Sequence, residues 1–475
     1  MELLRKFLSF SFGSGIGLAI NFLGTIVTTR LISPEDFGKA SMFILTLNIL
    51  TIIVIFGTDQ SFVRFFYEED SAKRGKLLYN CLRLPIVLAG ATVFIILIFD
   101  EQVSVFLFGE ENRGVALILA LGVVSQVLYR YGTLVIRMQQ KGILFSIVEI
   151  LNRSFNLIFL LLLYYFMGAS YEVLIYSTVV TVMILSIVTI FVEKKYWSFS
   201  NFAKAELRNS STDTIKYAYP LVLTSLITWL FQSFDKIAIK HWGNFEELGL
   251  YAAAFKIIGL LSVLQVTFST FWAPVCFEHY EKNPQDKRLF EWMSKLVSFT
   301  MFIIAVACIM GKDIIVLLLG KEYKDAAEIM PFLVFMPIMY TISETTVIGI
   351  NFYKKVNWHI LIAGASCLVS ILGNFILVPR YGAIGAAVAT AISFIVFFSL
   401  RTHLSLKYYK VDYGLKRIYT ILAIIIMYAL CSAFYKNTLL DVVVGAGIVT
   451  LMAVLYFGDF MGILKQIKRR QSTSS

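Results

Sequence analysis

Apolar runs of about twenty residues follow one another along almost the whole chain, each long enough for a helix to cross the hydrocarbon core of a bilayer. Inside lipid every backbone N–H and C=O must find a partner within the protein, so only helices and closed barrels can span. The runs are unbroken rather than alternating, which points to helices and away from a water-filled barrel. Composition agrees, with 58% of the 475 residues hydrophobic and 15% charged, against roughly 45–50% and 25% in soluble proteins. A soluble globular enzyme and a disordered chain are both excluded.

Spans are placed near 7–29, 40–58, 78–99, 114–136, 144–167 and 172–192, then near 214–239, 248–272, 292–311, 326–349, 357–378 and 382–403. Two more lie near 418–435 and 442–462. The expected fold class is an all-α polytopic membrane protein of about 14 transmembrane helices. The longest polar stretch, Glu193 to Thr214, separates spans six and seven. It divides the chain into an N-terminal six-helix bundle (1–192), a cytoplasmic linker (193–213) and a C-terminal six-helix bundle (214–403). Helices 13 and 14 (404–462) and a basic cytoplasmic tail (463–475) follow.

Halves with equal, even span numbers are what a parallel repeat produces. Faint self-similarity supports this. The stretch Arg30 to Ala40 and the stretch Lys240 to Ala252 each place a cation, then acidic residues, then a Gly at the start of the next helix. Asn156 and Gly168 echo Asn374 and Gly382 around spans five and eleven.

The formal net charge of +11 would suggest nucleic acid in a soluble protein. Here its placement reads differently. With the N-terminus inside, the inner loops and both tails hold about 28 of the 42 Lys and Arg, the outer loops about 9. The excess is an orientation signal that places both termini in the cytoplasm, and no nucleic-acid partner is expected. The first apolar run exceeds the h-region of a cleavable signal, about 7–15 residues, and reads as a span. Pro85 and Pro220 are expected to open spans three and seven, and Pro274 to close span eight. Pro331 and Pro337 should bend or locally unwind span ten, as a passive kink or a gate.

No phosphate loop, HExxH zinc site or GxSxG elbow occurs. The five cysteines (Cys81, Cys276, Cys308, Cys367, Cys431) are scattered and lack CxxC spacing, so they read as buried apolar residues. The four histidines (His241, His279, His359, His403) fall near span ends. No metal site or cofactor is expected, and no outer loop has room for an external catalytic domain.

What remains is ionisable residues within spans, each costing about 2.5–3.5 kcal/mol at the bilayer centre unless it faces a cavity or a partner. Glu149 and Arg153 lie four apart on one face of span five, either fastening helices as a pair or serving a site. Arg130, in span four, either snorkels or faces inward. Arg30, Lys236 and Lys256 come from corresponding openings of the two halves and outnumber their nearest acid, Asp235. A net-cationic interior of this kind suits an anionic substrate.

The segment NFLGTIVTTRLISPEDFG (Asn21 to Gly38) and the segment from Phe234-Asp235-Lys236-Ile237-Ala238-Ile239 to Tyr251 resemble the polysaccharide flippase family. That family belongs to the multidrug/oligosaccharidyl-lipid/polysaccharide exporter superfamily, and the likeness spans essentially the whole chain. The resemblance implies a non-enzymatic cell-membrane transporter that flips undecaprenyl-pyrophosphate-linked oligosaccharide from the inner to the outer leaflet by alternating access. It implies a cationic cavity, to which Arg30, Arg64, Lys236, Lys256 and, less directly, Arg153 correspond. Glu149, Asp235 and Glu344 are candidates for proton or sodium coupling. Implied partners are the lipid-linked substrate, membrane lipids, and the glycosyltransferases and polymerase of the same pathway. A lipid II flippase is the nearest alternative, and a multidrug/cation antiporter a more distant one.

Overall fold

A computed structural model describes residues 2–198, 207–435 and 437–473, with side chains described for 15–198, 207–435 and 437–458. Part of the expected linker (199–206) and the side chains of the basic tail lie outside the described residues. All regular structure among the described residues is helical. The chain forms two compact units, residues 1–240 with 244–252, and residues 241–243 with 253–475.

The first unit holds α1 (Glu2–Leu31), α2 (Pro34–Ile55), α3 (Thr58–Phe65), α4 (Arg74–Ile98), α5 (Asp100–Phe108), α6 (Arg113–Met138), α7 (Gly142–Met167), α8 (Tyr171–Val192) and α9 (Ser211–Trp242). It also holds the start of α10 (Phe245–Ile258). Helix α6 packs on α8, and α7 lies against both α1 and α8. In α7 only 17% of the most apolar stretch is buried, against 56% in α8. Helix α7 therefore turns Ile, Leu and Phe side chains outward from the unit, while α8 lies inside it.

The N-terminus of α2 shows why the expected repeat segments carry glycine. Ser33 caps the helix by accepting from Asp36 N at 3.2 Å, with Pro34 in the first turn, where its missing N–H costs nothing. A Cβ at Gly38 would lie 1.9 Å from the carbonyl oxygen of Phe245, and a Cβ at Gly249 would lie 1.8 Å from that of Pro34. The contact is reciprocal, each glycine meeting the carbonyl four residues before the other. Such close crossings in membranes require small residues on both helices.

The second unit holds α11 (Leu261–Lys282), α12 (Arg288–Met310), α13 (Lys312–Val316), α14 (Ala326–Leu333), α15 (Phe335–Thr346), α16 (Ile348–Phe352), α17 (Asn357–Leu406), α18 (Leu415–Phe434) and α19 (Thr438–Thr473). Its centre is α14–α15, where 83% of the apolar stretch is buried. Helix α12 packs on α15, α18 and α19, and α17 on α14 and α15.

Twelve helices among the described residues are long and apolar enough to cross a membrane, and Gly15–Leu31 of α1 is a shorter apolar one. Helix α17 is two spans, because Gly382 (φ 52°, ψ −132°) turns the chain back on itself. Gly385 lies against the Leu377 carbonyl and Gly373 against Ala389, so the two arms run antiparallel. The expected fourteen passes are thereby accounted for among the described residues.

Three prolines sit differently from expectation. Pro85, Pro220 and Pro274 lie inside α4, α9 and α11 rather than at span ends. Neighbouring helices can satisfy the carbonyls they free, which is why membrane helices tolerate interior proline. The local unwinding expected from Pro331 and Pro337 is not seen at Val334 between α14 and α15: its backbone stays right-handed (φ −60°, ψ −27°), its N–H donates to the Met330 carbonyl at 3.2 Å and its carbonyl accepts from Ile338 N at 3.4 Å.

Candidate functional site

The first unit has a half-open cavity of ≈ 720 Å³ between α2, α3, α6, α7 and α9. Its wall is made where α2 ends. Phe56 and Gly57 both adopt left-handed conformations (φ 51° and 72°), so the chain turns at the end of α2 and restarts as α3. Gly57 is needed there for a second reason, since a Cβ would lie 2.8 Å from the Ala218 carbonyl of α9.

A break of this kind is tolerated only where the freed polar groups are satisfied or face a water-filled space. Thr58 Oγ1 donates to the Ile55 carbonyl at 2.6 Å or shares a proton with Tyr131 Oη at 2.7 Å, and Ser61 Oγ donates to the Thr214 carbonyl at 2.8 Å. The restart aims Asp59 and Gln60 into the cavity.

Asp59 is buried and holds Arg130 of α6 through two nitrogens, Nη2 at 2.7 Å and Nε at 3.0 Å. Gln60 Nε2 donates to the same carboxylate oxygen at 3.0 Å. Arg130 thus lines the cavity and is paired with a carboxylate distant in sequence.

Glu149 of α7 and Arg137 of α6 also line the cavity, so two acids face two arginines and the formal charges cancel. Around them stand Asn48, Thr51, Gln126, Thr133, Thr224 and Ser225, with Trp229 the largest aromatic. The side chains of Asn48, Gln126, Arg137, Ser225 and Trp229 make no hydrogen bond to another described residue.

The residues singled out from sequence distribute as follows. Glu149 lines the cavity, and Arg30, Arg64, Arg153, Lys236 and Lys256 are absent from its wall. Arg30 is exposed in the last turn of α1. Arg64 closes α3 and pairs with Glu68 at 2.5 Å. Arg153 is exposed, its stem against Gly17 of α1. No Glu149–Arg153 ion pair forms among the described residues, although the two share a helix.

Lys236 is half-buried on α9, and Lys256 is exposed on the part of α10 that belongs to the second unit. Asp235 is buried, accepts from the Tyr251 hydroxyl and accepts from the Lys236 backbone N–H at 2.9 Å. Glu344 sits in the second unit, where Arg401 Nη1 reaches it at 2.8 Å and also donates to Ser343 Oγ at 2.6 Å.

Asp59, Gln60, Gln126 and Trp229 had not been picked out from sequence. Two signals were available: the Gly-Thr-Asp-Gln stretch that interrupts apolar sequence after span two, and a lone Gln within span four.

Residues 3–279 match the sequence family described as polysaccharide biosynthesis protein. The probable low-salt glycan biosynthesis flippase Agl15 of Haloferax volcanii is 21% identical over 420 residues, covering 85% of this chain and 83% of that protein. The capsular polysaccharide biosynthesis protein CapF of Staphylococcus aureus is 22% identical over 388 residues, covering 78% and 91%. Among solved structures, the lipid II flippase MurJ in an inward closed conformation superposes with a TM-score of 0.71 at 16% identity, covering 95% of this chain and 99% of that one. An inward-facing multidrug resistance MATE transporter of the MOP superfamily gives 0.63 at 14% identity, covering 83% and 96%. These two likenesses establish a shared fold.

Proposed function

This chain belongs to the polysaccharide biosynthesis protein family, and from that premise we propose that it flips an undecaprenyl-pyrophosphate-linked oligosaccharide from the inner to the outer leaflet of the cell membrane. The observation that carries the reading is the cavity of the first unit, walled by spanning helices, whose lining mixes apolar side chains such as Ile52, Phe145 and Leu221 with charged groups and unspent hydrogen-bonding groups. Charged and amide groups gathered around a cavity are costly among membrane helices, whereas a transporter needs them to carry a hydrophilic head group past lipid.

In this reading the two repeats, 1–192 and 214–403, alternate access about the linker at 193–213, with both termini cytoplasmic. The polyprenyl chain stays in lipid while the head group crosses inside the protein. Arg30, Arg64, Lys236 and Lys256, with Arg153, attract the pyrophosphate. A potential negative inside favours outward movement of its charge by about 2.3 kcal/mol per charge per 100 mV. Returning the emptied cationic carrier opposes that, so a proton or sodium ion is exchanged, with Glu149, Asp235 and Glu344 the acids to test. The chain acts by transport without bond chemistry, alongside the glycosyltransferases and polymerase that make and use its cargo.

The test is genetic and biochemical together. Host cells lacking the chain should accumulate lipid-linked saccharide and lose surface polysaccharide, and the wild-type chain should restore both. Arg30→Ala, Lys236→Ala and Lys256→Ala should each slow export; normal rates in all three would remove the cationic residues from the proposal. Rescue of cells depleted of their lipid II flippase would move the substrate to peptidoglycan precursor. A change in saccharide chain length on incubation with purified protein would replace transport with an enzymatic activity.

A further inference from the structure

We infer that the cavity of the first unit is a saccharide-binding site, holding the sugar residues of the cargo and leaving the pyrophosphate to cations elsewhere; this rests on the flippase reading above. A pyrophosphate carries several negative charges and needs a site with a cationic surplus. This cavity has none. Its two arginines face two carboxylates, and Arg130 is committed to Asp59 through two nitrogens.

What the wall does offer matches a sugar. Asn48 and Gln126 each present a donor and an acceptor on one planar amide, suited to vicinal hydroxyls. Arg137 and Ser225 add side chains with no hydrogen-bond partner among the described residues. Trp229 supplies an indole from α9 to the same wall as the carboxamides of α2 and α6. The C–H face of a pyranose is slightly positive and packs on the negative face of an aromatic ring, while its hydroxyls point outward to amides. The ≈ 720 Å³ volume falls within the range of about 300–1,000 Å³ for small-molecule sites and gives room for a short oligosaccharide.

The Asp59–Arg130 pair fits the same assignment. Each ion keeps lone pairs or N–H groups directed at the cavity, so together they present a strong dipole with no net charge. Such a site discriminates by hydrogen-bond pattern, since a polar group on the wall left without its partner is costly.

The experiment uses full-length protein in nanodiscs and two probes. One is the oligosaccharide released by mild acid from the lipid-linked pool of host cells lacking the chain; the other is inorganic pyrophosphate. Wild-type protein is expected to bind the oligosaccharide with a heat measurable by titration calorimetry. Trp229→Leu and Gln126→Ala are expected to weaken that binding about tenfold, Trp229→Tyr to restore most of it, and none of the three to alter pyrophosphate binding. Thermal melts confirm that each variant is folded.

No oligosaccharide binding, or unchanged affinity in folded Trp229→Leu and Gln126→Ala, overturns the assignment. So does loss of pyrophosphate binding in the same variants, which would make the cavity a phosphate site. Absence of any lipid-linked pool in the deletion cells defeats the flippase reading itself. A pool that accumulates but ignores these residues defeats only the saccharide site.

Discussion

Arg130 on α6 grips Asp59 at the start of α3 through Nη2 and Nε, at 2.7 and 3.0 Å from one carboxylate oxygen, 71 residues apart in sequence. The pair joins the turn after α2 to the helix that packs centrally in the first unit, so cavity shape and helix packing depend on the same two side chains. The Asp59 carboxylate is buried, whereas the Arg130 side chain is 44% exposed. Removing the arginine therefore leaves a desolvated carboxylate, and removing the acid leaves a cation that water still reaches. Arg130→Ala should destabilise the protein by about 1–2 kcal/mol once solvent screening is allowed for. Asp59→Asn should cost less, because the amide still accepts a hydrogen bond. A double-mutant cycle on thermal melts should give a coupling energy of about 0.5–1.5 kcal/mol, and strict additivity would show the two do not interact.

Gly38 and Gly249 allow backbone contact between α2 and α10 in both directions. A methyl group at either place meets a carbonyl oxygen, which cannot rotate away. Gly38→Ala and Gly249→Ala should each cost about 1–3 kcal/mol in stability. The double variant should cost clearly less than the sum, because the first substitution already separates the helices. Yield of folded protein on size exclusion and the thermal midpoint measure this.

Lys312 and Asp441 form a buried ion pair at 2.8 Å in the second unit, tying α13 to the start of α19. Ser432 also donates to Asp441 Oδ2 at 2.9 Å. Breaking such a pair from one side leaves a buried charge and costs about 3–5 kcal/mol. Lys312→Met alone should therefore be severely destabilised. Lys312→Met combined with Asp441→Leu should recover much of the loss in a detergent melt, since apolar side chains of similar volume then replace both ions.

Gly382 turns α17 at a backbone conformation (φ 52°, ψ −132°) that other residues adopt only under strain. Gly382→Ala should cost about 1–3 kcal/mol, while Gly364→Ala, with open space around it, should be neutral or slightly stabilising. Equal melting temperatures for the two variants would contradict the hairpin.

The spans were legible because an apolar run of membrane length leaves the backbone few options. The hairpin at Gly382 was legible too, since Pro379, Arg380 and Tyr381 mark a break between two such runs. Pro85, Pro220 and Pro274 misled because proline ends helices in water, whereas packed neighbours let it stay inside a membrane helix.

The cavity was hidden for a different reason. Asp59 follows span two and looks like the beginning of a polar loop, and only the two left-handed residues before it turn it inward. Arg130 was visible as a charge, but nothing local in the sequence names its partner. Glu149 and Arg153 share a helix face by spacing, and tertiary packing sends them to different surroundings.

Movement of a lipid-linked saccharide between leaflets can be followed with reconstituted protein. Purified chain is reconstituted into liposomes containing the fluorescently labelled lipid-linked saccharide from deletion cells, and a membrane-impermeant quencher is added outside. In protein-free vesicles only the outer-leaflet fraction is quenched rapidly. With the wild-type chain present, the account predicts that the protected inner-leaflet fraction becomes quenchable on the assay timescale. Protection unchanged from protein-free vesicles, with folded protein confirmed in the same liposomes, would contradict the account.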